Sequence, residues 1–145
     1  MNRAASFASI SDALGSGLPQ LLLQFIVTLL LLVIGVAVYT AFTPYKEREL
    51  VRQDNAAAGI VYAGSIIALA IPLASLLSTT GYVLDILVWG IVALLIQLAT
   101  LAVVSLLLLR HLKTLIESGN IAAALTVAAT QIAVALLNAA AMVPT

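Results

Sequence analysis

The side chains of this sequence that could do chemistry stand apart from one another. His111 lies beside basic residues, with no carboxylate or second histidine at metal-ligand spacing. Cysteine is absent, which excludes disulfides, thiolate metal sites and a cysteine nucleophile. No paired carboxylates, nucleophile with a base or phosphate-binding loop can be assembled from the residues that remain. We therefore predict that the protein is not an enzyme and that it uses no metal or cofactor.

Two asparagines, Asn55 and Asn120, are the sharpest repeated feature. Each follows a short polar segment and precedes small residues that begin an apolar run, and Gly119 stands before the second. The simplest interpretation is that each Asn is a helix N-cap, whose side-chain oxygen accepts from a backbone N–H two or three residues on, with Gly119 easing the turn. Two alternatives remain: an anion or headgroup site formed with the two helix N-termini, or contact with a partner.

A second set of amides, Gln97, Gln131 and Asn138, lies inside apolar runs. Polar groups at membrane depth usually face protein and form hydrogen bonds between helices. We interpret these three as such internal contacts. The alternative is that they line the pore of an oligomer, although a transport path more often has ionisable residues within its spans. Only Asp85 is of that kind, and it lies near the end of its run.

Composition places the chain in a membrane. Of its 145 residues, 63% are hydrophobic and only 8% are charged, whereas a soluble domain has about 25% charged residues. Six basic and six acidic residues leave no net charge, so nothing indicates a nucleic-acid partner. We expect membrane lipid to surround the protein.

Apolar runs predict four transmembrane helices, over residues 21–42, 55–77, 83–109 and 120–142. A run of this length spans the roughly 30 Å hydrocarbon core at about 1.5 Å per residue, and a helix is the only open-chain structure that pairs every backbone group there.

Three prolines mark expected boundaries and bends of these helices. Pro19 is expected to begin the first span, Pro44 to end it and Pro72 to kink the second. Residues 1–17 are expected to form a separate short segment that lies on the membrane surface as a helix.

The polar segments before the two asparagines are copies of one pattern. Residues 50–58 and 115–123 match at a constant offset of 65 residues, which we interpret as an internal duplication. The first repeat is then residues 18–77 and the second 78–145. Each holds two spans, so both insert in the same direction. The predicted fold is an all-α membrane protein with four transmembrane helices from two parallel two-helix repeats.

Small residues four apart favour close packing of spans two and four. Such pairs occur in both spans, and small faces let helix backbones approach in lipid. We expect packing within the chain, with packing between chains as the alternative; the pairs are Gly59 with Ala63, Gly64 with Ala68, Ala124 with Ala128, and Ala129 with Ala133.

The distribution of lysine and arginine predicts the orientation. Loops 43–54 and 110–119 hold five of the six basic residues, and Arg3 alone lies on the other side. The positive-inside rule then places both charged loops in the cytoplasm and both termini in the periplasm.

The sequence resembles a known family at several points: Thr43-Pro44-Tyr45, the residues 71–75, and the second polar segment, 116–124. Together these look like the bacterial inner-membrane family called Domain of Unknown Function 350. The resemblance implies a small four-helix protein of the inner membrane with the duplicated turn, and it implies no activity. Members are similar in context to small membrane partners of envelope-stress or membrane-maintenance systems.

We therefore predict a non-enzymatic integral membrane protein that acts by assembly. It would form a homo-oligomer or be a small subunit of a larger membrane complex, with envelope maintenance as the context that the resemblance implies. The alternative is an oligomeric channel or carrier for an ion or small solute, lined by Gln97, Gln131 and Asn138. Liposome flux that falls when Gln131 and Asn138 become Leu would separate the second hypothesis from the first.

Overall fold

The computed structural model describes residues 3–43, 46–108 and 111–143, with side chains for 10–43, 46–103 and 111–143. Within these ranges the chain forms helices and no strand: α1 (Arg3–Phe42), α2 (Glu47–Arg52), α3 (Ala56–Thr79), α4 (Val83–Leu108), α5 (Leu112–Glu117) and α6 (Ile121–Ala141). The predicted roles of Pro44, Tyr45 and Arg110, and that of the Arg3 side chain, fall outside the described residues.

The prediction of four spanning helices is confirmed. Four helical segments are long and apolar enough to cross a membrane, by length and composition: Ile10–Phe42, Ala56–Thr79, Val83–Val103 and Ile121–Ala141. The last three match the apolar runs closely, because a charged or polar segment precedes each of them. α3 continues through Pro72.

The start of the first helix was predicted wrongly. α1 spans Arg3–Phe42, 40 residues without a break, so Pro19 lies inside it. The residues before Pro19 are part of the same helix. A proline in a helix removes the donor to the carbonyl four residues earlier, which here belongs to Gly15. Gly15 is exposed, so its carbonyl is not trapped unpaired in the core.

Two short helices, α2 and α5, were missed by the sequence analysis. Each has six residues, too few for hydrophobic periodicity to show. Both their starts and their ends differ by the offset of 65 residues found in the sequence, and so do the starts of α3 and α6. The division of the chain into two duplicated units stays a prediction, but the order of elements repeats at the offset on which it rests.

α3 and α6 form the most extensive helix pair, which confirms that spans two and four pack within the chain. Their backbones approach closely at Gly64, because this residue has no side chain. A Cβ atom added to Gly64 would lie 2.6 Å from the Cβ atom of Ala128. Ala68 and Ala124 are also buried. Two of the four predicted pairs do not share this role, since Ala63, Ala129 and Ala133 are exposed and the site of Gly59 is open.

α3 lies at the centre of the bundle, between two hydrophobic clusters. One joins it to α1 and α4 through eight buried residues: Leu31, Val36, Tyr39, Leu69, Leu73, Ile86, Leu94 and Leu101. The other joins its first turns to α5 and α6: Ala57, Ala58, Val61, Leu112, Ile116, Ala124 and Val127. The second cluster holds the charged-loop end of the bundle together.

Candidate functional site

Each charged loop ends in the same hydrogen-bonded turn. The backbone N–H of Asn55 and that of Asn120 each donate to the carbonyl five residues earlier, at 3.0 and 2.9 Å. The preceding residues, Asp54 and Gly119, have positive φ angles of 58° and 78°. This is the Schellman arrangement that ends a helix. It explains why Gly119 suits its position, since glycine adopts positive φ without steric cost.

Both asparagines are N-caps, as the sequence predicts. The Asn55 Oδ1 atom accepts from the backbone N–H of Ala58 at 3.0 Å, and the Asn120 Oδ1 atom accepts from that of Ala123 at 3.0 Å. Each Asn thus ends one short helix through its backbone and starts a long helix through its side chain.

The two asparagines differ in their amide nitrogens. The Asn55 Nδ2 atom donates to the carbonyls of Ile116 and Glu117, at 2.9 and 3.2 Å. These carbonyls end α5, so Asn55 ties the second loop to the start of α3. Among the described residues Asn120 has no corresponding bond, and it is exposed. The amide nitrogen that Asn55 would offer to an anion is therefore already engaged by two carbonyls.

The predicted amides inside the spans all lie where α4 packs against α6. The Gln97 Nε2 atom donates to the carbonyl of Gln131 at 3.1 Å, and the Asn138 Nδ2 atom donates to that of Ala93 at 3.1 Å. These bonds connect α4 with α6. All three amides are buried, which is the position expected of polar groups that join helices in lipid.

Ser65, which the sequence analysis did not single out for hydrogen bonding, completes this polar centre. Its Oγ atom lies 2.8 Å from both the Gln131 Oε1 atom and the Val61 carbonyl, and its single proton serves one of them at a time. The Gln97 Oε1 atom is buried and has no hydrogen-bond partner within the described residues. Such an acceptor costs about 1–3 kcal/mol, so the centre is not fully satisfied.

Glu47 is a buried acid that sequence reasoning missed. It lies in the charged loop 43–54, yet only 2% of it is exposed. The Tyr39 Oη atom donates to its Oε1 atom at 2.8 Å, and its Oε2 atom has no hydrogen-bond partner among the described residues. Burial raises the pKa of Glu47 to about 7, against opposing effects of the Tyr39 hydrogen bond and the Arg48 charge.

The opposite end of the bundle is fastened by two glutamines of α1. The Gln20 and Gln24 Nε2 atoms both donate to the Gly81 carbonyl, at 2.8 and 2.7 Å. Gly81 belongs to the turn between α3 and α4. A cleft of 530 Å³ lies at this junction, and its lining is Gly17, Gln20, Leu21, Gln24, Phe25 and Leu77.

Comparison with known proteins identifies the family. The model of the family described as Domain of Unknown Function (DUF350) matches residues 13–142. The chain belongs to this family. It is also 30% identical, over 118 residues, to the UPF0719 inner membrane protein YjfL of Escherichia coli (strain K12), covering 81% of this chain and 89% of that protein. The protein of the same name from Escherichia coli O157:H7 gives the same values. No solved structure matches the chain.

The DUF350 match includes all the features just described. It begins within α1 and ends just beyond α6, so both turns, the polar centre and the Tyr39–Glu47 pair lie inside it. The protein is thus a membrane protein of a family whose function is unknown. Among the described residues no group of three metal-ligating side chains occurs. His111 is exposed at the start of α5, and Asp85 accepts from the Thr80 hydroxyl at 3.1 Å.

Proposed function

We propose that this DUF350 protein acts by assembly in a bacterial inner membrane, through the part of α1 that extends beyond the bundle. The observation that carries the proposal is the length of α1. Because Gln20 and Gln24 fix the helix at Gly81, the residues before Gln20 extend past the turn between α3 and α4. At about 1.5 Å per residue, this extension is roughly 25 Å long.

The extension presents an apolar stripe that nothing in the described chain covers. Ile10, Leu14, Gly17 and Leu21 are spaced by four and three residues, and every described side chain from Ile10 to Leu23 is exposed. The same spacing continues along α1 through buried positions: Thr28, Leu31 and Gly35. A seam of this period is the kind that packs against another helix.

The cleft at the junction supports a helix as the missing partner. Gly17 and Leu21 belong both to the stripe and to the lining of the cleft. The stripe therefore borders an open cleft beside α3 where α1 extends past the bundle. A helix from a second copy of this chain, or from another membrane subunit, would cover the stripe and fill the cleft.

The channel or carrier alternative has less support. Its proposed lining residues, Gln97, Gln131 and Asn138, are buried and bonded within one chain. A pore would require them to exchange these partners for water. We propose instead that they hold α4 and α6 together, and that the protein performs no catalysis. The inner-membrane location is supported by the name of the relative YjfL, and envelope maintenance is the context we propose for the assembly.

Cross-linking through single cysteines tests the assembly proposal, since the natural chain has none. We expect Leu14→Cys to give a cross-linked product in native membranes under mild oxidation. Ser16→Cys is the matched control, because it lies at nearly the same height and is also exposed, but on the other side of the helix.

The mass of the product identifies the partner. Twice the chain mass indicates a second copy, which supplies the second thiol, and any other mass indicates a different subunit with a cysteine opposite Leu14. If Leu14→Cys remains uncross-linked, or if both variants react equally, the stripe does not face that of a second copy, and the proposal of a homo-oligomer formed through α1 fails.

A further inference from the structure

Glu47 differs from every other charged residue of its loop. It lies in the first turn of α2 and is buried, whereas the remaining charged side chains of the loop are exposed: Lys46, Arg48, Glu49, Arg52 and Asp54. One carboxyl oxygen accepts from the Tyr39 hydroxyl. The other oxygen has no hydrogen-bond partner in the part of the chain that the structure describes. The carboxyl is thus held in a specific place and only half satisfied.

The second repeat shows that the fold does not need an acid here. At the offset of 65 residues Glu47 corresponds to Leu112, which is 5% exposed and packs in the cluster around the start of α3. Tyr39 corresponds to Val104. An aliphatic side chain therefore fills the equivalent position of α5. The first repeat has a carboxyl and a phenol where the second has two apolar residues.

The surroundings favour the neutral form of this carboxyl. A buried charge is stable only when it is paired and hydrogen-bonded, and Glu47 forms no ion pair within the described part of the chain; the ion pair found there joins Lys113 to Glu117. α3, against which α2 packs, contains no Asp, Glu, Lys, Arg or His. Tyr39 is the titratable group that faces Glu47 from α1, and Arg48 is the nearest charge on α2.

We propose that Glu47 is a proton-binding site, open to exchange with the aqueous phase at the charged-loop end, and that the bound proton stabilises the packing of α2 against α1 and α3. This inference concerns the opposite end of the molecule from the assembly stripe and does not depend on it. The ligand is the proton itself. Its loss would leave an unpaired negative oxygen among apolar groups, and this favours separation of α2 from the bundle.

The pH dependence follows from the two states of α2. In the packed state the pKa of Glu47 is about 7, and in a separated, hydrated α2 it returns toward 4.5. Below both values the carboxyl is neutral in both states, so packing is most stable there. As pH rises between the two values, the separated state releases its proton first and gains relative stability. Above the higher value the packed state is ionised too, and the lost stability is not recovered.

Infrared spectroscopy of the protein in liposomes tests whether the proton is bound. We expect a protonated-carboxyl C=O band at about pH 6 that disappears with a midpoint near the raised pKa. The band should be missing in Glu47→Gln. Glu49→Gln, which removes an exposed acid from the same helix, should keep it. Absence of the band at about pH 6, or its persistence in Glu47→Gln, would overturn the proposal.

Thiol labelling tests whether the proton controls the packing of α2. Leu50→Cys reports on α2, and Leu115→Cys, its equivalent at the offset of 65, is a matched control on α5; both leucines are half-buried. The ratio of their labelling rates cancels the intrinsic pH dependence of thiols. We expect this ratio to rise by roughly tenfold between about pH 6 and about pH 8. The equilibrium between packed and separated α2 should shift by this factor, because a free-energy change equivalent to about one pKa unit is a tenfold change.

The same ratio in two variants decides the outcome. It should not change with pH in Glu47→Gln or in Glu47→Leu, which copies the natural Leu112. A ratio that is flat in the natural sequence, or that rises equally in Glu47→Gln, contradicts the proposal.

Discussion

At the scale of single residues, Asn55 and Asn120 have the same cap role but differ in their other hydrogen bonds. Their cap bonds are alike, but Asn55 also donates to two carbonyls at the end of α5. The cap role could be predicted from sequence because it depends on neighbours within a few positions. The hydrogen bonds from Asn55 to the end of α5 could not be predicted, since their acceptors are 61 and 62 residues away along the chain.

This difference gives a prediction about stability. Replacing Asn120 by Ala should lower the free energy of unfolding by about 1 kcal/mol, the usual effect of losing an N-cap. Asn120→Ser should retain most of it, because serine also caps. Asn55→Ser should lose about 1–2 kcal/mol more than Asn120→Ser, since serine cannot replace the amide donors. Denaturant unfolding in detergent measures all three, and equal losses at the two positions would show that the tie contributes nothing.

Glu47 was hidden from sequence reasoning for a related reason. It stands in a segment of six charged residues, a pattern typical of a solvated loop. The signal that could have revealed it is the offset of 65 residues, which pairs Glu47 with the aliphatic Leu112. On the predicted duplication, Leu112 shows that the position accommodates an apolar side chain.

At the scale of helices, α3 and α6 approach each other most closely at Gly64, which has no side chain. Gly64 faces Ala128 at a distance that leaves no room for a side chain. Gly59 lies on the same helix with nothing near its missing Cβ. Both were predicted to be interface residues, because spacing alone does not distinguish them.

A pair of substitutions therefore separates packing from helix propensity. Gly64→Ala should destabilise the protein by about 1–3 kcal/mol, the usual cost of overpacking. Gly59→Ala should be neutral or stabilise it by up to about 1 kcal/mol, because alanine is the better helix former. Thermal unfolding in detergent measures both. A destabilised Gly59→Ala with an unchanged Gly64→Ala would mean that α3 presents a different face to α6.

The errors in helix bounds have two physical origins. Long apolar runs located α3, α4 and α6 to within a few residues, because the bilayer imposes their length. α2 and α5 are too short to show a period, and α1 was cut at Pro19 by a rule that holds for water-soluble helices better than for membrane ones. The part of α1 that carries the assembly proposal was consequently assigned to a separate segment.

At the scale of the whole molecule, the orientation across the membrane can be measured directly. We expect loops 43–54 and 110–119 to be cytoplasmic, because five of the six Lys and Arg residues lie there. A membrane-impermeant thiol reagent applied to intact cells should label Ser78→Cys, at the uncharged end. It should label Glu49→Cys only after the cells are permeabilised; both positions are exposed. The reverse pattern would place the charged loops outside.

The four spanning helices do not have equal lengths. The apolar part of α1, Ile10–Phe42, has 33 residues, while α4 and α6 have apolar parts of 21 each. At about 1.5 Å per residue these are roughly 50 Å and 32 Å, against a hydrocarbon thickness of about 30 Å. The other three helices are close to this thickness, whereas α1 exceeds it, so α1 must tilt, thicken the lipid around it or extend its first turns, which hold Asp12, beyond the hydrocarbon. A thicker bilayer would therefore enclose more of the exposed turns before Gln20.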